Sequence, residues 1–210
     1  MAPACLHFSW IVRVLFVLCC WVHFAFTEEF TLDRANVTEI PRDIPINSTE
    51  IRIYSTPILS IRHCEFSKFT KLTYVYLHNT NVSTIPADAF ADTEIQTLYL
   101  EYCKLEEVPN LSPIAASLER LSLSGNKIRF IPADTFKGMI NLRYVNFGWN
   151  LLTEFPDFSA LPSNNVLQTV SVYYNSISNL RHSALSMFRE LETLNVQSNK
   201  LTRVPNIQGL

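Results

Sequence analysis

Beyond residue 27, three histidines (His63, His78, His182) and two cysteines (Cys64, Cys103) could act as nucleophile, general base or soft metal ligand. Their spacing supports none of these roles. No two histidines stand at ligand spacing, so a metal centre lacks its ligand set. H-E-x-x-H, a nucleophile elbow and a Gly-rich phosphate loop are all absent, and the whole chain has only four glycines. No catalytic residue, cofactor or metal is expected, and enzyme activity is not. The side chains that stand out are rings. NLRYVNFGWNLLTEFP, residues 141–156, has Leu142, Val145, Phe147, Leu152 and Phe155 in phase for a core, with Tyr144 and Trp149 out of phase. Tyrosine and tryptophan pair a broad apolar face with a polar tip and lose little entropy on contact, which suits them to binding.

What must position those rings is a repeat. LERLSLSGNKIRFIP from Leu118, the stretch with Leu142 and LETLNVQSNKLTRVP from Leu191 share L-x-x-L-x-L-x-x-N-x-L-x-x-I/V-P. Weaker copies begin at Ser48, Leu72, Ile95 and Leu167, so the period is 23 to 25 residues. The L-x-L alternation puts two apolar side chains on one face of a short strand. The ninth position reads Thr56, Thr80, Cys103, Asn126, Asn150, Asn175, Asn199. Asparagine there can bond the backbone of the turn, which burial demands. The first three repeats lack it, which predicts a looser N-terminal half and makes Cys103 a buried ladder thiol. Cys64 falls in a convex segment and is not expected to pair with Cys103.

From about residue 40 the chain resembles the extracellular leucine-rich repeat proteins, with half-repeats such as IPADAFADTEI and IPADTFKGMINL similar to those of animal secreted and receptor ectodomains. The resemblance implies an α/β solenoid, a horseshoe with a concave parallel sheet. Return segments such as PADAFADTEI and PADTFKGMINL predict short helical turns, alternating with Pro-rich extended ones such as PNLSPIAASL and PDFSALPSNNVL. Residues 28–47 resemble the family's N-terminal cap but lack its cysteine cluster. Residues 48–210 hold about seven repeats, the last incomplete.

Residues 1–27 read as a secretory signal peptide: Arg13, an apolar run, then Ala25 and Thr27 before two glutamates. The alternative is an uncleaved anchor, for which the run is short against the roughly 20 apolar residues a span needs. Four sequons, at Asn36, Asn47, Asn81 and Asn110, fit a secreted glycoprotein. Net charge is −2, from 17 basic and 19 acidic residues, which argues against nucleic acid as a partner. The last repeat stops inside a return segment, so a missing C-terminal cap or a dimer covering that end is expected.

All eight tyrosines fall at the variable positions beside the strands. Strand propensity explains part of that bias, but the phenylalanines avoid the same positions. Tyr54, Tyr74, Tyr76, Tyr99 and Tyr102 form one expected aromatic wall, and Tyr144, Trp149, Tyr173 and Tyr174 a second. Between them Ser122, Ser124 and Gly125 predict a low saddle. His78 and Glu101 share a column about 5 Å apart, as a neutral ring beside a solvated acid or as a pH-sensitive contact. The reading is non-enzymatic protein binding on the concave face, by a secreted or matrix protein. Two others stay open: a truncated ectodomain of a membrane adhesion or innate-recognition receptor, and an inhibitor that blocks an enzyme's active site.

Overall fold

The computed structural model describes residues 28–180 and 184–203. The leader, His182 and the final return segment lie outside them. Strands β1 (Glu29–Asp33), β2 (Glu50–Tyr54), β3 (Tyr74–His78), β4 (Thr97–Glu101), β5 (Arg120–Ser122), β6 (Tyr144–Asn146), β7 (Thr169–Ser171) and β8 (Thr193–Asn195) pair in parallel, in chain order, as one sheet. Parallel neighbours need a crossover, and each return segment supplies one, so the chain winds as a solenoid.

Register follows the L-x-L pattern. Ile51, Val75, Leu98, Leu121, Val145 and Val170 form one column, each fully buried. Ile53, Leu77, Leu100, Leu123, Phe147 and Val172 form the next, at most 1% exposed. A strand has period two, so the residues between them must face outward on the concave side. Phenylalanines fill the interior behind the sheet. Phe66 and Phe90 stack at 5.6 Å, Phe136 and Phe158 at 4.3 Å, and Phe158 meets Phe188 at 5.2 Å.

One feature adds to the expectation and one differs from it. Residues 28–47 contain a strand, β1, in which Phe30 pairs with Ile51 and Leu32 with Ile53. This segment continues the sheet by a further turn. The convex side has little helix: among the described residues it holds 3-10 turns at Ser112–Ile114 and Ala133–Phe136, a 3-10 residue at Ala184, and otherwise turns and extended chain. The first lies in PNLSPIAASL, expected to be extended. Pro113 sits in its opening turn, where proline has no N–H to lose. PADAFADTEI, expected to turn helically, makes only hydrogen-bonded turns. A return segment this short bonds to its neighbours rather than propagating a helix.

In the cysteine-free N-terminal segment an arginine takes the tying role. Arg62 donates to both oxygens of buried Glu65, each at 2.7 Å, to Glu39 at 3.1 Å and to the Ile40 carbonyl at 2.7 Å. It fastens residues 39 and 40 to the following turn.

The ladder explains the repeat's asparagine. Asn150 Nδ2 donates to the Leu123 carbonyl at 2.9 Å and the Phe147 carbonyl at 3.1 Å, while its Oδ1 accepts from Ile128 N–H at 3.0 Å. Asn126, Asn175 and Asn199 repeat the arrangement, serving Leu105, Leu152 and Ile177 N–H at 3.1, 2.9 and 3.0 Å. The three non-asparagine positions do less. Thr56 Oγ1 is buried without a partner. Thr80 Oγ1 meets Cys103 Sγ at 3.2 Å, and Val82 N–H reaches only Thr80 Oγ1, at 3.5 Å. Both described cysteines are free, Cys64 exposed and Cys103 buried.

Three substitutions test this account by thermal and denaturant unfolding. Asn150→Ala strands the Ile128 N–H and leaves the Leu123 and Phe147 carbonyls with one asparagine donor each instead of two, and should cost about 2 kcal/mol. Cys103→Asn should stabilise by about 1 kcal/mol, since it offers Val82 N–H an acceptor and Leu77 C=O a proper donor. Glu65→Ala removes the buried two-oxygen partner of Arg62 and leaves it only the exposed Glu39 and the Ile40 carbonyl, and should cost about 2 kcal/mol, more than any exposed acid replaced on the same side.

Candidate functional site

The outward positions of the sheet carry a connected set of rings. Tyr54 meets Tyr76 edge-on at 5.1 Å, and Tyr76 meets Tyr99 at 5.7 Å. Tyr74 meets Tyr99 at 5.9 Å, and His78 meets Tyr76 at 5.6 Å and Tyr102 at 5.1 Å. Edge-to-face geometry matches the ring quadrupoles, so the set holds its own shape. The expected saddle is not there. Tyr99 reaches Tyr144 at 6.4 Å across repeat four. Arg120 bridges them, donating to Tyr99 Oη at 2.8 Å and lying 4.6 Å over the Tyr144 ring. Ser122 and Ser124 are buried beneath. Serines are too short to hold neighbours apart, and the long side chains on either side close over them. A second cluster follows: Trp149 stacks on Tyr174 at 4.0 Å, and Tyr173 meets Tyr174 at 5.9 Å.

The most exposed rings of the concave face sit where the backbone is strained. Ser55, Asn79, Tyr102, Gly125, Trp149, Tyr174 and Ser198 share one position, just before the ladder residue, and all have positive φ. Glycine or asparagine takes that conformation cheaply; a bulky side chain does not. Yet Tyr102 (φ 50), Trp149 (φ 53) and Tyr174 (φ 50) occupy it, at 46%, 47% and 44% exposure. Two glycines make room for neighbouring rings. A Cβ on Gly125 would come within 2.6 Å of the Tyr102 ring, and one on Gly148 would collide with Tyr173. Tyr102 therefore leans onto repeat four and Tyr173 onto repeat five.

Polar groups are held by the same rings. Arg52 lies 4.3 Å over Tyr74 and pairs with Glu29 at 3.1 Å and Glu50 at 2.6 Å. Glu101 accepts from Tyr76 Oη at 3.0 Å and from Ser122 Oγ at 2.6 Å. His78 and Glu101 are register partners but form no ion pair, because the carboxylate turns to the hydroxyls and the imidazole to the rings. Burial raises the Tyr74, Tyr76, Tyr102 and Tyr144 hydroxyls above the usual phenol range, with Glu101 adding to the effect at Tyr76. They remain protonated donors at neutral pH.

The other reactive side chains lie elsewhere. On the convex side His63 Nδ1 meets Asp88 at 3.0 Å and Cys64 Sγ reaches the same carboxylate at 3.6 Å. His63 holds the Asp88 carboxyl below its usual range. Desolvation and then the Asp88 charge push the Cys64 thiol up, the opposite of activation. Burial raises Cys103 as well. Among the described residues no group of three His, Cys, Asp or Glu could hold a metal, and no helix is long and apolar enough to cross a membrane. Asn36, Asn47 and Asn110 are exposed and Asn81 is half-buried, all off the aromatic columns. Asn110 also donates from Nδ2 to the Ala87 carbonyl at 3.1 Å.

A sheet of parallel strands joined by short returns, with an asparagine ladder beneath and a variable outer face, defines a leucine-rich repeat solenoid. The fold is that of the leucine-rich repeat proteins, and the "Leucine rich repeat" family model matches residues 116–165. The chain's relatives include keratocan of Mus musculus, 26% identical over 87% of this chain and 58% of that protein. Osteomodulin of Rattus norvegicus is 25% identical over 89% of this chain and 49% of its own length, and fibromodulin of Bos taurus 26% over 83% and 45%. These relatives are extracellular matrix proteins with leucine-rich repeats, and the chain spans roughly half of their length. A solved leucine-rich repeat protein of Leptospira interrogans shares the fold, with TM-score 0.59 at 19% identity, over 81% of this chain and 48% of that one.

Gly148→Ala should displace the Tyr173 ring without unfolding the protein. Near-UV circular dichroism should lose intensity from the aromatic cluster while far-UV spectra and melting stay close to wild type. An unchanged near-UV spectrum would mean that Tyr173 does not rest on Gly148.

Proposed function

We propose that this chain is an extracellular, non-enzymatic binding module that docks a protein partner on its aromatic concave face. One observation carries the reading. Tyr102, Trp149 and Tyr174 hold large exposed rings at a backbone position where such residues cost about 1 kcal/mol or more, and glycine, asparagine or serine stand there in other repeats. Stability does not favour that choice, whereas contact with a partner does. Exposed tyrosine and tryptophan in a rigid array are the composition of binding hot spots. The matrix relatives support an extracellular setting. In this reading residues 1–27 are removed on export, residues 28–47 cap the repeats, and Asn36, Asn47, Asn81 and Asn110 carry glycans clear of the docking face. Two clefts, lined by return segments near Phe155 and Val108, include none of the concave rings, in keeping with a face that works as an open surface.

The test is capture of extracellular proteins on the purified chain, followed by affinity measurement for the species captured. Replacing Tyr76, Tyr99 and Trp149 together by alanine should weaken binding by about 30-fold or more, equivalent to about 2 kcal/mol. Replacing the exposed Phe130 and Ile140 by alanine should leave it unchanged. The reverse pattern places the interface off the concave sheet. A single captured enzyme whose activity falls on binding would identify the module as an inhibitor.

A further inference from the structure

We infer that the concave face seats a basic side chain, lysine or arginine, of its protein partner against Glu101, between Tyr76, His78 and Tyr102. The inference rests on the docking reading above and names the chemistry of its central contact. From β3 to β8, the three outward columns containing Tyr76, Glu101 and Tyr102 hold one formal charge, the Glu101 carboxylate. No cation of the described residues reaches it. Arg52 is spent on Glu29 and Glu50, and Arg120 lies along Tyr99 and Tyr144.

The carboxylate is also held in place. Tyr76 Oη fixes one oxygen at 3.0 Å and Ser122 Oγ the other at 2.6 Å. Each oxygen keeps a further acceptor site. Ser124, next in Glu101's column, brings a buried hydroxyl with no hydrogen-bond partner. Tyr76, whose hydroxyl holds the carboxylate, and Tyr102, next to Glu101 in the chain, bring rings whose faces attract a cation that lies over them. A half-buried, uncompensated anion among rings gains from a cation's approach and is penalised by an apolar or acidic one. The shape is set before the ligand arrives, so little ordering entropy opposes the contact.

The probe is a displayed library of random linear peptides, selected on the wild-type chain. Selected peptides are then measured against wild type, Glu101→Gln and Tyr99→Ala, each variant first checked for unchanged melting. Glutamine keeps the shape and an acceptor for Tyr76 but removes the charge. The expected result is peptides enriched in lysine or arginine at one position, losing about tenfold or more in affinity on Glu101→Gln. Their affinity should fall with added salt for wild type and little for the variant. Peptides that lose affinity on Tyr99→Ala but hold it on Glu101→Gln, or that carry no basic position, overturn this inference and leave concave docking standing. If no peptide is selected, or none responds to Tyr99→Ala or to Glu101→Gln, concave docking falls and the basic seat falls with it.

Discussion

Every turn of this solenoid must bend sharply just after its strand, and it does so inside the protein. The bend leaves carbonyls and N–H groups away from water, where an unmatched group costs about 1–3 kcal/mol. A side chain with both donor and acceptor, reaching across one repeat, resolves that cost. Beneath a sheet whose register the L-x-L columns set, Asn126, Asn150, Asn175 and Asn199 do so, each tying its own turn to the one before. Where threonine or cysteine replaces asparagine the stacking persists on hydrophobic burial alone, and polar groups such as Thr56 Oγ1 go unmatched.

The same bend explains why the chain can display rings so openly. Its last residue before the ladder must adopt positive φ, which points the side chain to the rim of the concave face. Glycine and asparagine satisfy the backbone at low cost, and they and serine display little. Tyrosine and tryptophan accept strain and display much. Gly125 and Gly148 do the opposite, giving up a side chain so that the rings of Tyr102 and Tyr173 can lie down over them. The result is a surface in which ring positions are set by neighbours in three dimensions rather than by free rotation.

Phenylalanine and tyrosine divide the molecule between them. Phe66, Phe69, Phe90, Phe136, Phe147 and Phe158 are sealed inside, while no tyrosine is fully buried. A phenol buried without a partner costs free energy, whereas on the concave sheet its hydroxyl can bond to Glu101 or Arg120 and its ring can still pack. Those bonds tie the rings around Tyr76 and Tyr99 into one polar and aromatic network.

Much of this was legible in the residues alone. The repeat length, the parallel sheet, the buried L-x-L columns, the weaker ladder at Thr56, Thr80 and Cys103, and the outward phase of every tyrosine follow from strand periodicity and motif spacing, which are local. Strand β1 escaped because EFTLD offers only Phe30 and Leu32 and no ladder residue, so it reads as a strand only when β2 lies beside it. The closed saddle, the stack of Trp149 on Tyr174 and the turning of Glu101 away from His78 escaped for a different reason. A strand pattern decides which face a side chain leaves from, but not which way it then leans. That depends on the volumes of residues a full repeat away, such as Ser122, Gly125 and Gly148, and only the assembled sheet brings those volumes together.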